Sequence, residues 1–77
     1  MIIPMDVIGD VVNSEHAGHC VRVVDDSENT GGILVYQWWS RSNGPNADNA
    51  VDAWVLPSAL EGYFRETGWR VHWRGRQ

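Results

Sequence analysis

Acidic side chains form the densest chemical cluster in this sequence. Asp25, Asp26 and Glu28 lie within a stretch that contains no apolar residue. Paired carboxylates can exchange protons with a substrate, and loops rich in oxygen ligands can bind calcium. The stretch is shorter than the alternating ligand series of a calcium loop, and no partner for acid–base catalysis accompanies it. We therefore interpret it as an acidic turn that is either simply solvated or binds a cationic partner.

A zinc site is the second chemistry that the sequence raises. His16, His19 and Cys20 are close in sequence, and Glu15 or the distant His72 would have to complete four ligands. The spacing is too tight for two ligand pairs, so surface histidines beside a small buried thiol are the simpler interpretation. Catalysis by Cys20 is disfavoured because burial in a valine-rich strand raises a thiol pKa, and His19 points to the opposite face of that strand. We expect no metal, no cofactor and no enzyme activity.

Five tryptophans are many for 77 residues. Trp38 and Trp39 are adjacent on a predicted strand, so they face opposite sides of its sheet, and one lies on the side without helices. Trp54, with Arg70 or His72, could join it there. Exposed tryptophan and arginine are typical of protein interfaces, but they also suit a platform that stacks sugars or single-stranded bases. A second layer or a homodimer that buries the tryptophans is the structural alternative.

The charge is divided unevenly along the chain. Ten acidic residues and six arginines give a net charge of −4. Residues 1–64 carry nine acids and two arginines, whereas residues 65–77 carry four arginines and one acid. Nucleic-acid-binding domains present a basic surface, so this acidic body disfavours nucleic acid and favours a basic protein partner.

Hydrophobic periodicity predicts the elements that would carry these residues. A strand is the alternative for the first predicted helix, because Gly9 and the neighbouring valines weaken a helix. Pro57 and Gly68 are typical of the start and the end of the second helix. The predicted order is a helix over residues 5–15, strands over 19–24, 33–39 and 51–55, a helix over 58–66 and a strand over 69–73.

These elements predict an α+β fold that forms a single domain over residues 1–77, since a chain this short supports only one core. Three strands in a meander, followed by a helical crossover, would return the fourth strand parallel to a neighbour. The expected result is one mixed four-stranded sheet, in the order α-β-β-β-α-β, with both short helices on one face. The predicted core consists of Val7, Ile8, Val11, Val21, Val23, Ile33, Val35, Leu60, Phe64, Val71 and two or three tryptophans.

The expected location is the cytoplasm. No apolar run reaches the about 17 residues that span a bilayer, and the first residues lack the pattern of a signal peptide. The single cysteine, Cys20, cannot form an internal disulfide. We therefore expect no membrane partner.

The acidic turn and the second helix together resemble a known kind of protein. The segment from Val23 to Gly32, followed by a strand, then Asp52–Val55 and Leu60–Trp69, is similar to small acidic immunity proteins that bacteria encode beside polymorphic or contact-dependent toxins. The resemblance rests on spacing and turn chemistry. It implies a non-enzymatic inhibitor that blocks the active site of a cognate toxin domain, such as a nuclease.

The functional hypothesis is therefore an acidic protein-binding domain that neutralises a basic toxin. Its carboxylates would face the cationic site of the partner, and two tryptophans would anchor the complex. The alternatives are a carbohydrate- or single-strand-binding module and a small structural or regulatory subunit that dimerises through its open sheet face; monomer and homodimer both stay open. The predicted contact residues are Asp25, Asp26, Glu28, Trp39, Asp48, Asp52 and Trp54.

Overall fold

The computed structural model describes residues 2–13, 17–39 and 51–75. They form an α+β fold in which an antiparallel five-stranded sheet packs against a short helix. The strands are β1 (Ile8–Val11), β2 (His19–Asp26), β3 (Gly32–Trp39), β4 (Val51–Val55) and β5 (Val71–Trp73), in the spatial order β4-β3-β2-β1-β5. Between β4 and β5 the chain forms a 3₁₀ turn (Pro57–Ala59) and the helix α1 (Leu60–Thr67). No helix among these residues is long and apolar enough to cross a bilayer.

The prediction of a helix over residues 5–15 is wrong, and the alternative, a strand, is correct. β1 pairs antiparallel with both β2 and β5, so it lies inside the sheet. Gly9 lies directly under the side chains of Val71 and Trp73, where a Cβ would collide with both. A glycine is unfavourable in a helix, but in a strand it allows a neighbouring side chain to approach the backbone closely.

The prediction of a mixed sheet of four strands with two helices is also wrong. The crossover through α1 does return β5 in the same direction as β4, but the strand that β5 meets is β1, which runs the opposite way. Their pairing is therefore antiparallel, with Gly9 opposite Trp73 and Val11 opposite Val71. The sheet gains a fifth strand because the first segment joins it instead of covering it.

The remaining elements are of the predicted types, and their ends differ from the predicted bounds by at most two residues; the last strand, predicted over 69–73, is Val71–Trp73. β2 and β3 form the expected hairpin, which pairs from His19 opposite Trp39 to Asp26 opposite Gly32. β4 has the predicted bounds. Gly68 ends α1 in a left-handed conformation with a φ of 74°, and its N–H donates to the carbonyl oxygen of Arg65.

The core lies between α1 and one side of the sheet, which we call the helix face; the opposite side is the second face. Side chains two positions apart on a strand share a face, so Val21 and Val23 of β2 and Ile33 and Val35 of β3 lie on the helix face together. Of the predicted core residues, Val7 and Ile8 do not belong to the buried cluster, because Ile8 lies opposite Arg22 on the second face and Val7 precedes β1. The buried core consists of Val11, Val21, Val23, Ile33, Val35, Leu60 and Phe64, and Trp69, Val71 and Trp73 pack around it.

We predict opposite effects for two glycine-to-alanine substitutions. In Gly9→Ala the new Cβ meets Val71 and Trp73, so we expect the free energy of unfolding to fall by about 1–3 kcal/mol. In the control Gly62→Ala, on α1, the new Cβ meets nothing within 4 Å. The helix gains propensity there, so we expect a gain of about 0.5–1 kcal/mol. Urea unfolding followed by tryptophan fluorescence measures both, and wild-type stability in Gly9→Ala would contradict the pairing of β1 with β5.

Candidate functional site

The predicted acidic cluster lies at the turn of the β2–β3 hairpin. The backbone N–H groups of Asn29 and Thr30 donate to the carbonyl oxygen of Asp26 at 3.0 and 2.9 Å. The side chain of Asn29 also donates to the Asp26 carboxylate, at 3.1 Å. Gly31 adopts a φ of 81°, which returns the chain into β3. The turn therefore holds its carboxylates in place by its own hydrogen bonds.

Asp25 and Glu28 are exposed, and Asp26 is half-buried. The backbone N–H of Ser27 donates to Asp25 Oδ1 at 2.9 Å. This hydrogen bond holds the pKa of the Asp25 carboxyl below its ordinary value, because it is made to the charged form. The turn thus presents a cluster of carboxylates at one end of the sheet.

Trp54 lies against this turn. Its indole N–H donates to Thr30 Oγ1 at 2.9 Å. The ring covers the backbone of Gly32, where a Cβ would collide with the indole. The side chain nevertheless remains 47% exposed. We call Asp25, Asp26, Glu28 and Trp54 the acidic corner: the three acids belong to the hairpin turn, and Trp54 contacts that turn at Thr30 and Gly32. Asp25 is paired with Ile33 and so points to the helix face, whereas Trp54 lies on the second face.

Asp52 lies near this corner but faces a different neighbour. Val35 and Tyr36 on β3 pair with the residues on either side of Asp52, which therefore forms a β-bulge. Its carboxylate accepts a hydrogen bond from the Tyr63 hydroxyl at 3.0 Å, which connects β4 to α1. Burial, followed by this hydrogen bond, raises the pKa of Tyr63 to about 12. The role of Asp52 in this geometry is to hold the helix beside the edge strand.

Trp39 lies far from the acidic corner. It ends β3 opposite His19, and the two rings meet edge to face with centroids 3.9 Å apart. A strand rises about 3.3 Å per residue, which puts Trp39 about 20 Å from Ile33 beside the turn. Trp38 and Trp39 face opposite sides of the sheet, as predicted, with the half-buried Trp38 on the second face and Trp39, 54% exposed, on the other. The predicted site is therefore not one surface, and its remaining member, Asp48, lies outside the described residues.

The sequence analysis missed a polar row across the second face. Asp10 on β1 lies between Cys20 on β2 and His72 on β5. Nε and Nη2 of Arg74 donate to its two carboxylate oxygens at 2.9 and 3.0 Å, and these bonds lower the pKa of Asp10. Interpreting residues 5–15 as a helix removed Asp10 from the sheet. Asp10 between Gly9 and Val11, which face the helix, is the alternation along a strand that could have revealed the row.

The geometry around Cys20 does not favour zinc or nucleophilic chemistry. The thiol is 2% exposed and lies 3.5 Å from Asp10 Oδ1; burial first, and then this hydrogen bond, raises its pKa. His19 is on the helix face, where its Nδ1 lies 2.6 Å from the Gln37 side-chain amide. Within residues 2–13, 17–39 and 51–75, no group of three or more His, Cys, Asp or Glu side chains is arranged to hold a metal ion. Glu15 and His16 lie outside these ranges.

The rest of the second face is mainly apolar and aromatic, and no helix in the described part of the chain lies over it. The Arg22 guanidinium lies over the Tyr36 ring, 5.4 Å from its centroid, and 3.8 Å from the Asp6 carboxylate. Arg22 thereby occupies one side of the ring that a planar ligand would use. The half-buried apolar and aromatic side chains of this face are Ile8, Val24, Leu34, Tyr36 and Trp38.

Comparison of the chain with protein families, with curated proteins and with solved structures finds no match. The functional argument therefore depends on the geometry of the residues themselves.

We predict that Tyr63 makes stability fall at alkaline pH. Its pKa is raised from its ordinary value near 10 to about 12 in the folded state. Folding therefore favours the neutral hydroxyl, and this contribution is complete below pH 10 and is lost as the pH rises through 12. In urea unfolding, Tyr63→Phe should remove the loss of stability that accompanies ionisation of Tyr63. The variant Tyr36→Phe keeps Tyr63, so its one tyrosine should ionise near pH 12. Ionisation of Tyr63 near pH 10 in Tyr36→Phe, followed by ultraviolet absorbance, would contradict the buried hydroxyl.

A second prediction concerns Asp10 and Arg74 at acidic pH. The folded pKa of Asp10 is lowered, so its contribution is present above the ordinary value of 3.8 and is lost as the pH falls through the folded value. Half of the guanidinium is in solvent, so Arg74→Gln should lower the free energy of unfolding at neutral pH by about 1 kcal/mol or less. The free energies of unfolding of the wild type and of Arg74→Gln should become equal in strong acid. Arg70→Gln, which alters an exposed arginine nearby, is the control, and an equal loss there would point to net charge and not to the Asp10 pair.

Proposed function

We propose that the protein is a non-enzymatic acidic domain that binds a basic protein partner at the acidic corner. The contact of Trp54 with the hairpin turn carries this proposal, because it fixes an exposed aromatic ring against the turn on which three acidic residues lie. Exposed tryptophans are over-represented among residues that dominate binding energy, and clustered charge of one sign steers an oppositely charged partner.

The two parts of the corner have different roles in this proposal. The carboxylates of Asp25, Asp26 and Glu28 attract a cationic surface over a distance and raise the association rate. Trp54 loses its remaining exposure in the complex and slows dissociation. The hydrogen bond to Thr30 fixes the indole beforehand, so little side-chain entropy is lost on binding.

The resemblance to immunity proteins supports a more specific partner, a toxin domain with a cationic active site, such as a nuclease. Carboxylates on a turn imitate the charge of the phosphates that such a site binds, so the turn would occupy the place of the substrate. This action would take place in the cytoplasm of the cell that makes the toxin. Trp39 is too far from the corner to share the contact, and Asp52 acts by holding α1 beside β4.

The second face is a weaker candidate for a site that stacks sugars or bases. Stacking requires an open aromatic ring, and Arg22 already lies over Tyr36 while Trp38 is half-buried. Among the tryptophans of the second face, Trp54 alone is exposed, and its indole N–H is engaged by Thr30.

The test is binding to the purified product of the reading frame beside this gene, measured by surface plasmon resonance at low and physiological salt. We expect the association rate to fall as salt rises, and Asp25→Asn combined with Glu28→Gln to reduce it about tenfold at low salt. Trp54→Ala should mainly raise the dissociation rate, by about thirtyfold.

Asp6→Asn removes one negative charge away from the turn and is the control for the single variant Glu28→Gln, since asparagine tolerates the left-handed backbone that Asp6 adopts at a φ of 56°. This variant should leave both rates close to those of the wild type. An association rate that is indifferent to salt and to the turn substitutions would overturn the proposal.

A further inference from the structure

We infer that the outer edge of β4, which pairs with no strand among residues 2–13, 17–39 and 51–75, binds an extended segment of the basic partner as an added β-strand, together with the groove between β4 and α1. The inference rests on the proposed function for the basic character of the partner. It adds the part of the partner that is recognised and the way in which it binds.

β4 is an edge strand with an unusual number of exposed apolar side chains. It pairs with β3 on one side, and it is the terminal strand of the sheet on the other. Of the six large apolar side chains that are exposed in the described residues, three lie on or directly after β4: Val51, Trp54 and Leu56. The opposite edge, β5, has only three residues, and its Val71 and Trp73 pack against the core. An exposed apolar edge is the feature that strand addition uses.

A groove of about 510 Å³ lies beside this edge. Val55 lines it from β4, and Gly62, Tyr63 and Glu66 line it from α1. Gly62 contributes no side chain, so the helix surface is open there. A strand added to β4 would therefore have room for alternate side chains on the helix side.

The charges around the groove indicate what those side chains are. Glu61 and Glu66 line the groove, and Asp52 reaches the Tyr63 hydroxyl that borders it. They outnumber the one arginine of the lining, Arg65, whose Nη2 lies 3.3 Å from Glu61. A cationic segment is attracted by this balance, whereas a second copy of the same chain would bring the same acids against it.

The pleat of β4 gives the expected sequence pattern of the segment. Val55 faces the groove and Trp54 faces the second face, so an added strand alternates between these two surroundings. Lysine or arginine suits the positions beside Glu66, and apolar residues suit the positions beside Trp54. The bulge at Asp52 interrupts the edge, so only the portion from Ala53 to Val55 offers a regular ladder. The expected ligand is a short segment that alternates cationic and apolar residues.

The test uses a capped peptide of alternating lysine and valine, added to the isotope-labelled full chain and followed through backbone amide NMR shifts. We expect saturable shifts in β4 and α1 and none in β5. Glu66→Gln should weaken binding about two- to fivefold, as for an exposed ion pair, and Glu28→Gln should leave it unchanged. A peptide of alternating glutamate and valine should bind at least tenfold more weakly.

Two N-methylated peptides separate strand addition from simple charge attraction. One is methylated at the valine amides and the other at the lysine amides, and an added strand donates to the sheet through only one of these sets. We expect one peptide to lose binding and the other to keep it. Equal behaviour of the two, shifts confined to the hairpin turn from Asp25 to Gly31, or no binding of the parent peptide would each overturn the inference.

The result also separates this inference from the proposed function. If the peptide fails while the partner protein still binds with salt-dependent rates that Glu28→Gln lowers, only the role of the β4 edge is overturned. If neither binds, both proposals fail.

Discussion

In the part of the chain that the structure describes, one helix of eight residues covers a five-stranded sheet, and this constraint governs the rest of the structure. Leu60 and Phe64 are its buried residues, and they can reach only the alternating valines and isoleucine of the helix face. Aromatic rings extend this small contact: the Phe64 ring lies 5.7 Å from Trp69 and 6.1 Å from Trp73. Because each ring buries a large area from one position, a short helix with aromatic neighbours can complete a core that a chain of this size could not build from aliphatic residues alone.

Because a few aromatic residues complete the core, other residues remain at the surface and are available for binding. Two strand glycines, Gly9 and Gly32, each lie under an indole ring, but the two rings serve different ends. Trp73 over Gly9 closes the core, whereas Trp54 over Gly32 lies on the second face and stays half exposed. The hydrogen bond from Trp54 to Thr30 holds this exposed ring against the acidic turn. Packing of the core does not require that contact.

The sequence predicted those parts of the fold that local chemistry determines. The β2–β3 hairpin, β4 and the end of α1 at Gly68 follow from short-range patterns of β-branched residues and turn glycines. The strand β1 could not be predicted in this way, because the apolar spacing of the first segment suits a helix and a strand alike. What decides between them is Trp73, more than sixty residues later, which needs the open backbone of Gly9.

The candidate site, like the fold, was predictable only where it depends on residues that are close in sequence. The carboxylates of the turn are neighbours in sequence, so their clustering was predictable. The separation of Trp39 from Trp54 depends on strand register, and the direction of Asp52 depends on a bulge, and neither is visible in residue types. The bond between Asp10 and Arg74 joins residues 64 positions apart and required the pairing of β1 with β5 to be known.

That long-range pairing has a consequence for how the chain reaches its native state. Among the described strands β1 comes first and β5 comes last, so β1 keeps an unsatisfied hydrogen-bonding edge until the residues up to Trp73 are present. Pairing β1 with β5 closes a long loop of the chain. The conformational entropy of that loop is lost before the contact of Trp73 with Gly9 compensates for it. Synthesis on the ribosome therefore leaves the hairpin of β2 and β3 as the part that can form early. A nascent chain cut short before Trp73 has an open sheet margin that invites capture by chaperones or proteases.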